Sequence, residues 1–441
     1  MSWVLANLPV IAGHLLAHLL QAVPAILAAF VLAIPIARLA RAARRAGPEP
    51  SRLDTPARSP VGISGPSPGI RSVRSVEESA THHCHISPRR HPVAIATPES
   101  YADMLDRAKA GKYAIPAINV TSSQTLSAAL KGFADAESDG IVQISNGGAA
   151  YWSGSSRADR VKGSIAFAAY ARAVGDLYPV QIGLHTDHCP KPMLEPWVLP
   201  LLEIEAEQVK RGELPMFNSH MWDGSAESLD DNIDIAVDML ARAKAANVIL
   251  EIEIGAVGGE EDGIKGEENA NLYTTADDAW RAIEALGLGE NGRYITALTF
   301  GNVHGAYKPG HVKLRPEILG EIQDDVAARL GDRLSSKVGT KDSPFDLVMH
   351  GGSGSTDEEI ATAVRNGVIK MNVDTDTQYA FTRPVADWML KNYDGVLKID
   401  GEVGNKKTYD PRAWGKAAEN GMAARVVEAC ERLGSVGSAK R

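Results

Sequence analysis

The sequence predicts an α/β protein, a (β/α)8 TIM barrel behind an N-terminal apolar segment and a disordered linker, and three observations carry that expectation. From about Pro92 onward, eight apolar runs of strand length alternate with amphipathic stretches of helical period, as strand–helix units do. Histidines and acids gather where those runs end, and the carboxyl ends of barrel strands are where side chains are both held and open to solvent. No P-loop appears and no Gly-x-Gly-x-x-Gly follows an early strand, which disfavours the runner-up, an open doubly wound sheet.

The 441 residues allow one large domain plus an extension. An apolar share of 44% and a charged share of 23% are those of a globular chain, and the net charge of −9 argues against non-specific nucleic-acid binding. It does not argue against anionic substrates, because a metal or a glycine loop dominates its local field. Three cysteines, Cys84, Cys189 and Cys430, make no disulfide framework and suit a reducing compartment.

Residues 1–46 form an apolar segment. Its core at 21–37 is followed by Arg38, Arg41, Arg44 and Arg45, so it reads as a membrane span whose basic flank leaves the downstream domain cytoplasmic. Pro9, Pro24 and Pro35 weaken a continuous helix there. Residues 47–91 are rich in Pro, Ser and Arg without hydrophobic period and read as a disordered linker. Its His82-His83-Cys84-His85 is more readily incidental than a zinc site, since structural sites space their four ligands around turns. Residues 92–441 carry the barrel.

Strands are expected at 114–120, 140–145, 180–185, 216–220, 248–254, 297–302, 345–349 and 368–372, with helical patterns such as 127–137, 226–246 and 357–366 between them. The third strand delivers Asp187 and His188 in Leu184-His185-Thr186-Asp187-His188-Cys189, a possible proton-transfer group beside a possible metal ligand. The fourth ends in His220-Met221-Trp222-Asp223. The fifth carries Glu251 and Glu253 on one face by the two-residue period, which is costly unless a cation or donors lie nearby. The sixth ends in Asn302-Val303-His304-Gly305 and the seventh in His350-Gly351-Gly352-Ser353. Singly, each histidine fits a packed core position. His188, His304 and His350 at one end of one barrel fit a catalytic zinc site with an open position. His185 and His220, inside strand runs, fit supporting hydrogen bonds.

Two glycine-bearing loops add to this. The run from Gly351 to Ser355 follows the seventh strand and Asn372-Val373-Asp374-Thr375 follows the eighth, where barrels often hold phosphate on converging backbone N–H groups. The acidic loop Gly258-Gly259-Glu260-Glu261-Asp262-Gly263 reads as a solvated face or as a mobile arm carrying a base.

These stretches, with Tyr307-Lys308-Pro309-Gly310 and the run from Lys370 to Thr377, resemble the class II, zinc-dependent fructose-bisphosphate aldolases over roughly 350 residues, in the family's order and without departure at a motif position. The resemblance implies a zinc ion on His188, His304 and His350, with Asp223 and Glu253 holding a second cation or the same zinc in a resting position. It implies Asp187 as the proton donor at the aldehyde-derived oxygen and Glu261 as the base for the ketose half. Gly305, Lys308, Gly351, Gly352, Ser353, Asn372, Val373, Asp374 and Thr375 would bind the dihydroxyacetone phosphate half, with Asn119 and Ser145 as further substrate contacts. A monovalent cation near the phosphate is implied, as is a homodimer in which Arg412 reaches the partner's second phosphate.

The expected activity is therefore reversible cleavage of fructose 1,6-bisphosphate, with sugar phosphates as partners. The alternatives are a tagatose-bisphosphate aldolase, which chain length and the 258–263 loop disfavour, and a membrane-tethered relative without turnover. The family's usual start falls at Val93, so residues 1–92 read either as a true anchor or as an upstream extension of the gene model.

Overall fold

The computed structural model of the protein describes residues 94–255, 258–261, 264–266, 273–301, 303–304, 314–336, 343–352, 355–397 and 404–440, with backbone alone at 258–261, 264–266, 303–304 and 335–336. The apolar segment, the linker with its His82-His83-Cys84-His85, Gly305, Lys308 and Ser353 lie outside the described residues. Among the described residues no helix is long and apolar enough to cross a membrane.

Eight strands close a parallel barrel: β1 Ile115–Asn119, β2 Gly140–Ile144, β3 Ile182–Thr186, β4 Ser219–Trp222, β5 Ile249–Ile254, β6 Tyr294–Leu298, β7 Leu347–Met349 and β8 Val368–Val373. Each pairs with the next in sequence and β8 pairs with β1, in the register Ile115 to Lys370 and Ala117 to Asn372. Buried on both faces, these strands read as near-continuous apolar runs, which is why they were visible in the sequence.

Helices cover the outside. Ser123–Asp135, Arg160–Gly175, Leu199–Lys210, Leu229–Ala245, Ala276–Leu286, Glu317–Leu330 and Asp357–Arg365 alternate with the strands. Many begin at a Ser, Thr or Asp whose side chain accepts a first-turn N–H: Ser122, Asp159, Ser228, Thr275 and Thr356. The outer core between this shell and the strands includes Phe133, Phe167, Trp197, Phe217 and Trp222, each fully buried. A side chain of that size contributes about 1.5–3 kcal/mol over its exposed state. Where helix Arg160–Gly175 crosses helix Asn146–Trp152, a Cβ at Gly163 would stand 1.8 Å from the Ala149 carbonyl oxygen, so only glycine permits that approach.

A separate core fills the bottom of the barrel. Helix Pro98–Gly111 starts at a Thr97–Ser100 capping box and ends on Lys112 in the left-handed region. It inserts Tyr101, Met104 and Leu105 beneath the strands, against Ile115, Ile141, Ile249, Ile295, Val348 and Ile369. The lower barrel is thereby closed, and chemistry is confined to the upper end.

Two strands are displaced from their expected places. The sixth was expected at 297–302 and runs over Tyr294–Leu298. Beyond it the apolar run leaves the barrel. Thr299 N–H donates to the Thr274 hydroxyl, Phe300 bridges to Tyr273, and Gly301 takes φ 94°. Hydrophobicity does not change at that departure, so the run itself could not mark it. The fourth strand lies later than its expected 216–220, again because Met216 and Phe217 are buried without being in the ladder.

Candidate active site

The top of the barrel is assembled from strand ends. Just past β3, His188 adopts φ +35°, a left-handed backbone rare for a non-glycine residue and of the kind concentrated at functional sites. That turn aims its ring across the barrel mouth. Its Nδ1 lies 3.0 Å from Asp223 Oδ2, just past β4, and 3.6 Å from Glu253 Oε2 on β5. His350, just past β7, turns its own Nδ1 to within 3.5 Å of Glu253 Oε1. The two imidazole centroids are 4.6 Å apart at 63°.

His188, Glu253 and His350 thus offer three ligand atoms, all within 4.8 Å of one another and all buried. Ligand bonds of about 2.1 Å at a tetrahedral angle place neighbouring donors about 3.4 Å apart, so the spacing suits one shared ion. Charge makes the same point. Neither oxygen of Glu253 accepts a hydrogen bond of ordinary length among the described residues, although the group is buried. Burial and the neighbouring Asp223 charge push its carboxyl above the ordinary range. Burial works to lower His350, but Glu253 and Glu251 outweigh it and push the imidazole up to about 9, so that a proton stands where a cation would. A buried carboxylate short of donors between two imidazoles is a site built for a cation, and the nitrogen and oxygen donors suit zinc.

Asp187 sits beside this trio, with Oδ1 3.9 Å from His188 Nε2. Its carboxylate is gripped from both flanks. Asn119 Nδ2, at the end of β1, donates to Oδ2 at 2.8 Å, and Asn372 Nδ2, on β8, donates to Oδ1 at 2.8 Å. Burial works against ionisation, but His188, Lys370, His185 and His350 outweigh it and hold the carboxyl below its ordinary range. The group is therefore an ionised, oriented acceptor at neutral pH.

The two glutamates of β5 share the inward face, as their spacing required, but meet different fates. Glu251, one layer below Glu253, takes two hydrogen bonds on Oε1, from His350 Nε2 at 2.8 Å and Lys370 Nζ at 3.2 Å, while its Oε2 has only the ion-pair contacts with Lys370 Nζ at 2.9 Å and His185 Nε2 at 3.4 Å. The bond from His350 Nε2 leaves Nδ1 as the nitrogen turned to Glu253, the arrangement in which a carboxylate fixes a metal-facing imidazole.

Gly351 takes φ 63° where the chain leaves β7, and a Cβ at Gly352 would stand 1.9 Å from Met371 Cε. Alongside, β8 ends at Val373, and Asp374 precedes helix Thr375–Lys391, whose first N–H groups face the top of the barrel. Ser145 lies just past β2, where its hydroxyl accepts the Gly148 N–H at 3.2 Å and caps helix Asn146–Trp152. The loop bearing Glu261 is a hairpin, Gly258–Glu261 against Ile264–Gly266, and its first strand runs parallel to Val303–His304. The backbone therefore joins the Glu261 loop to the His304 stretch. The side chains of both residues lie outside the description. Arg412 is 89% exposed and paired with Asp410 at 2.6 Å, and the chain does not bring it into the cluster.

Two residues of the network carried no expectation from sequence, Lys370 and Gln143, whereas the donors at Glu251 answer the expectation that its buried carboxylate needs them. The signal available was a lysine inside a strand otherwise built for burial, two residues before Asn372 and so on the same face.

Residues 99–438 match the family model described as Fructose-bisphosphate aldolase class-II. The chain is 65% identical over 343 residues to the fructose-bisphosphate aldolase of Streptomyces coelicolor, covering 78% of this chain and 98% of that protein. It is 58% identical over 343 residues, with the same coverage, to the fructose-bisphosphate aldolase of Mycobacterium tuberculosis. A crystal structure of fructose-bisphosphate aldolase from Campylobacter jejuni superposes with a TM-score of 0.68 at 37% identity, over 78% of this chain and 97% of that one. With closed barrel, strand-end cluster and sequence in agreement, the chain belongs to the class II fructose-bisphosphate aldolase family.

Proposed function

We infer that this protein is an aldehyde-lyase that reversibly cleaves fructose 1,6-bisphosphate into dihydroxyacetone phosphate and glyceraldehyde 3-phosphate with the help of zinc. The observation that carries the metal is Glu253, buried, short of donors and flanked by His188 and His350. His188, His304 and His350 would hold the ion, with Asp223 and Glu253 as alternative or additional ligands. When bound, it supplies the Lewis acid that such a cleavage needs at the ketose carbonyl. The remaining work belongs to the chain. Breaking C3–C4 requires the C4 hydroxyl to lose its proton, and Asp187, ionised and held by two amides, accepts it and returns it in the synthetic direction. Glu261 handles the proton of the ketose half from its hairpin. The loops at Gly351–Gly352 and Asn372–Thr375, with Gly305, Ser353 and Lys308, anchor the phosphate that turns the carbonyl toward the metal.

The test is turnover of fructose 1,6-bisphosphate and of its C4 epimer, before and after chelation. Cleavage of the fructose substrate that chelation abolishes and zinc restores is expected. Preference for the tagatose epimer would change the substrate assignment, and turnover untouched by complete metal removal would overturn the metal reading.

A homodimer completes this reading. The arm from helix Thr375–Lys391 to Tyr409 leaves Tyr379, Leu390, Tyr393, Leu397 and Tyr409 exposed, an apolar surface suited to a second copy. In such a dimer Arg412 serves the partner's site. Mixing inactive Asp187→Ala and Arg412→Ala chains would then restore about a quarter of the sites, since half the dimers are mixed and each holds one intact site. No recovery after verified subunit exchange would place Arg412 in its own protomer's site or in none.

A further inference from the structure

Below the metal-facing layer lies a buried ion pair that the reaction, as just described, does not use. Lys370 on β8 and Glu251 on β5 are both fully buried, with Nζ 2.9 Å from Oε2 and 3.2 Å from Oε1. Lys370 makes one further contact upward: Nζ donates to Asn372 Oδ1 at 2.6 Å. We propose that Lys370 is a positioning residue that fixes the polarity of the Asn372 amide, and through it the orientation of Asp187. The proposal rests on Asp187 acting as the proton acceptor at the C4 hydroxyl.

The argument is one of donor and acceptor inventory. An ammonium only donates and an ionised carboxylate only accepts. Asn372 lies between one of each, so its carbonyl must face Lys370 and its NH2 must face Asp187. Turning the amide over would set NH2 against ammonium and carbonyl against carboxylate, losing both bonds at once. The opposite flank is built differently. Asn119 donates to Asp187 at 2.8 Å and accepts from Gln143 Nε2 at 2.7 Å, and Gln143 can present either its oxygen or its nitrogen. The Asn119–Gln143 arm can therefore reverse as a unit when Asp187 takes up a proton. The Lys370–Asn372 arm cannot, and it remains a permanent donor at Oδ1. One arm adapts while the other holds position through the proton-transfer cycle.

The same ion pair reaches the metal-facing layer. Glu251, which balances Lys370, also receives His350 Nε2 at 2.8 Å. The pair thus aligns an imidazole on one side and the acid–base group on the other. A lysine present only to neutralise Glu251 would need no contact with Asn372, and the 2.6 Å bond is the observation that separates the two roles.

The experiment uses the full-length zinc-loaded chain. Lys370→Met keeps all but the last atom of the side chain's length and removes every donor. A second variant, Lys370→Met with Glu251→Gln, removes both charges while leaving an acceptor for His350, so folding does not hinge on a stranded carboxylate. Three readouts are taken: zinc content, steady-state cleavage, and solvent hydrogen exchange into dihydroxyacetone phosphate. That exchange needs the ketose-side base but not the C4 hydroxyl acceptor. Expected in the double variant are unchanged zinc content, KM within about 3-fold, kcat for cleavage down about 10²-fold, and exchange down by less than about 10-fold. In an Asp187→Ala background the same substitutions should cost less than about 2-fold, because they act through a group already missing. Equal losses in cleavage and exchange, or undiminished losses in the Asp187→Ala background, would reduce Lys370 to a packing role and overturn the proposal. A crystal structure of the double variant gives a reading independent of turnover. The Asn372 amide should be rotated away from Asp187, and retention of the 2.8 Å contact would overturn the proposal. Absence of cleavage by the zinc-loaded wild type would instead sink the functional reading and leave this geometric test standing.

Discussion

Asp187→Ala keeps its metal and loses between about 10² and 10⁴ in kcat. The metal is retained because Asp187 stands outside the close trio of His188, Glu253 and His350, its oxygen 3.9 Å from the nearer imidazole nitrogen. Turnover is lost because, among the described residues, no other ionised acceptor is held beside that trio by two amide donors. Asp187→Asn is expected to do no better, although it conserves volume. Its new NH2 can be accepted by Asn119 once the Asn119–Gln143 arm reverses, so the position is still held, but a neutral amide has no carboxylate to accept the C4 hydroxyl proton. Cleavage kinetics with metal content measured on the same samples checks both variants. Wild-type turnover in Asp187→Ala would remove the residue from the mechanism, and loss of the metal would show it to be a ligand.

The barrel was legible because parallel strands buried on both faces must be apolar throughout, and eight such runs stand out from the amphipathic helices between them. The upper site was legible for a related reason: a strand end is where an apolar run stops, so His188, Asp223 and His350 announce themselves at those stops, and Glu253 one residue before its own. The polar layer beneath was not. That Lys370 and Asn372 share a face follows from the two-residue period. That Glu251 lies opposite them depends on the register and tilt of eight strands, which no single strand encodes. Asn119 illustrates the gap, because the family resemblance implied a substrate contact for it and nothing in the sequence shows that its amide is bonded to Asp187. Helix Pro98–Gly111 is a second case. Its sequence shows a capped helix, but nothing in it says that Tyr101 enters the barrel floor and bonds Ser219 at 3.0 Å, beneath His185.

Glu251→Leu should be the most destabilising of the site substitutions, and for reasons separate from those at Asp187. Removing the carboxylate leaves the Lys370 ammonium buried with only Asn372 Oδ1 as acceptor among its described contacts, and breaking one side of a buried ion pair costs about 3–5 kcal/mol. Pairing Glu251→Leu with Lys370→Met removes both charges and should recover most of that loss, since a buried pair replaced by well-packed apolar groups is often neutral. The measurement is chemical denaturation of the metal-free proteins, because a bound ion stabilises the native state by mass action and would hide the difference. Metal affinity behaves otherwise. His350 Nε2 loses its 2.8 Å acceptor in both variants, so nothing holds the ring with Nδ1 turned inward, and affinity should fall about 10–100-fold in each. The double variant therefore separates the two functions of one carboxylate: it should fold nearly as well as the wild type and still bind zinc poorly. Wild-type zinc affinity in that protein would show that His350 is aligned by packing alone, and an undiminished stability loss would show that the cost lay in the leucine's fit and not in the stranded charge.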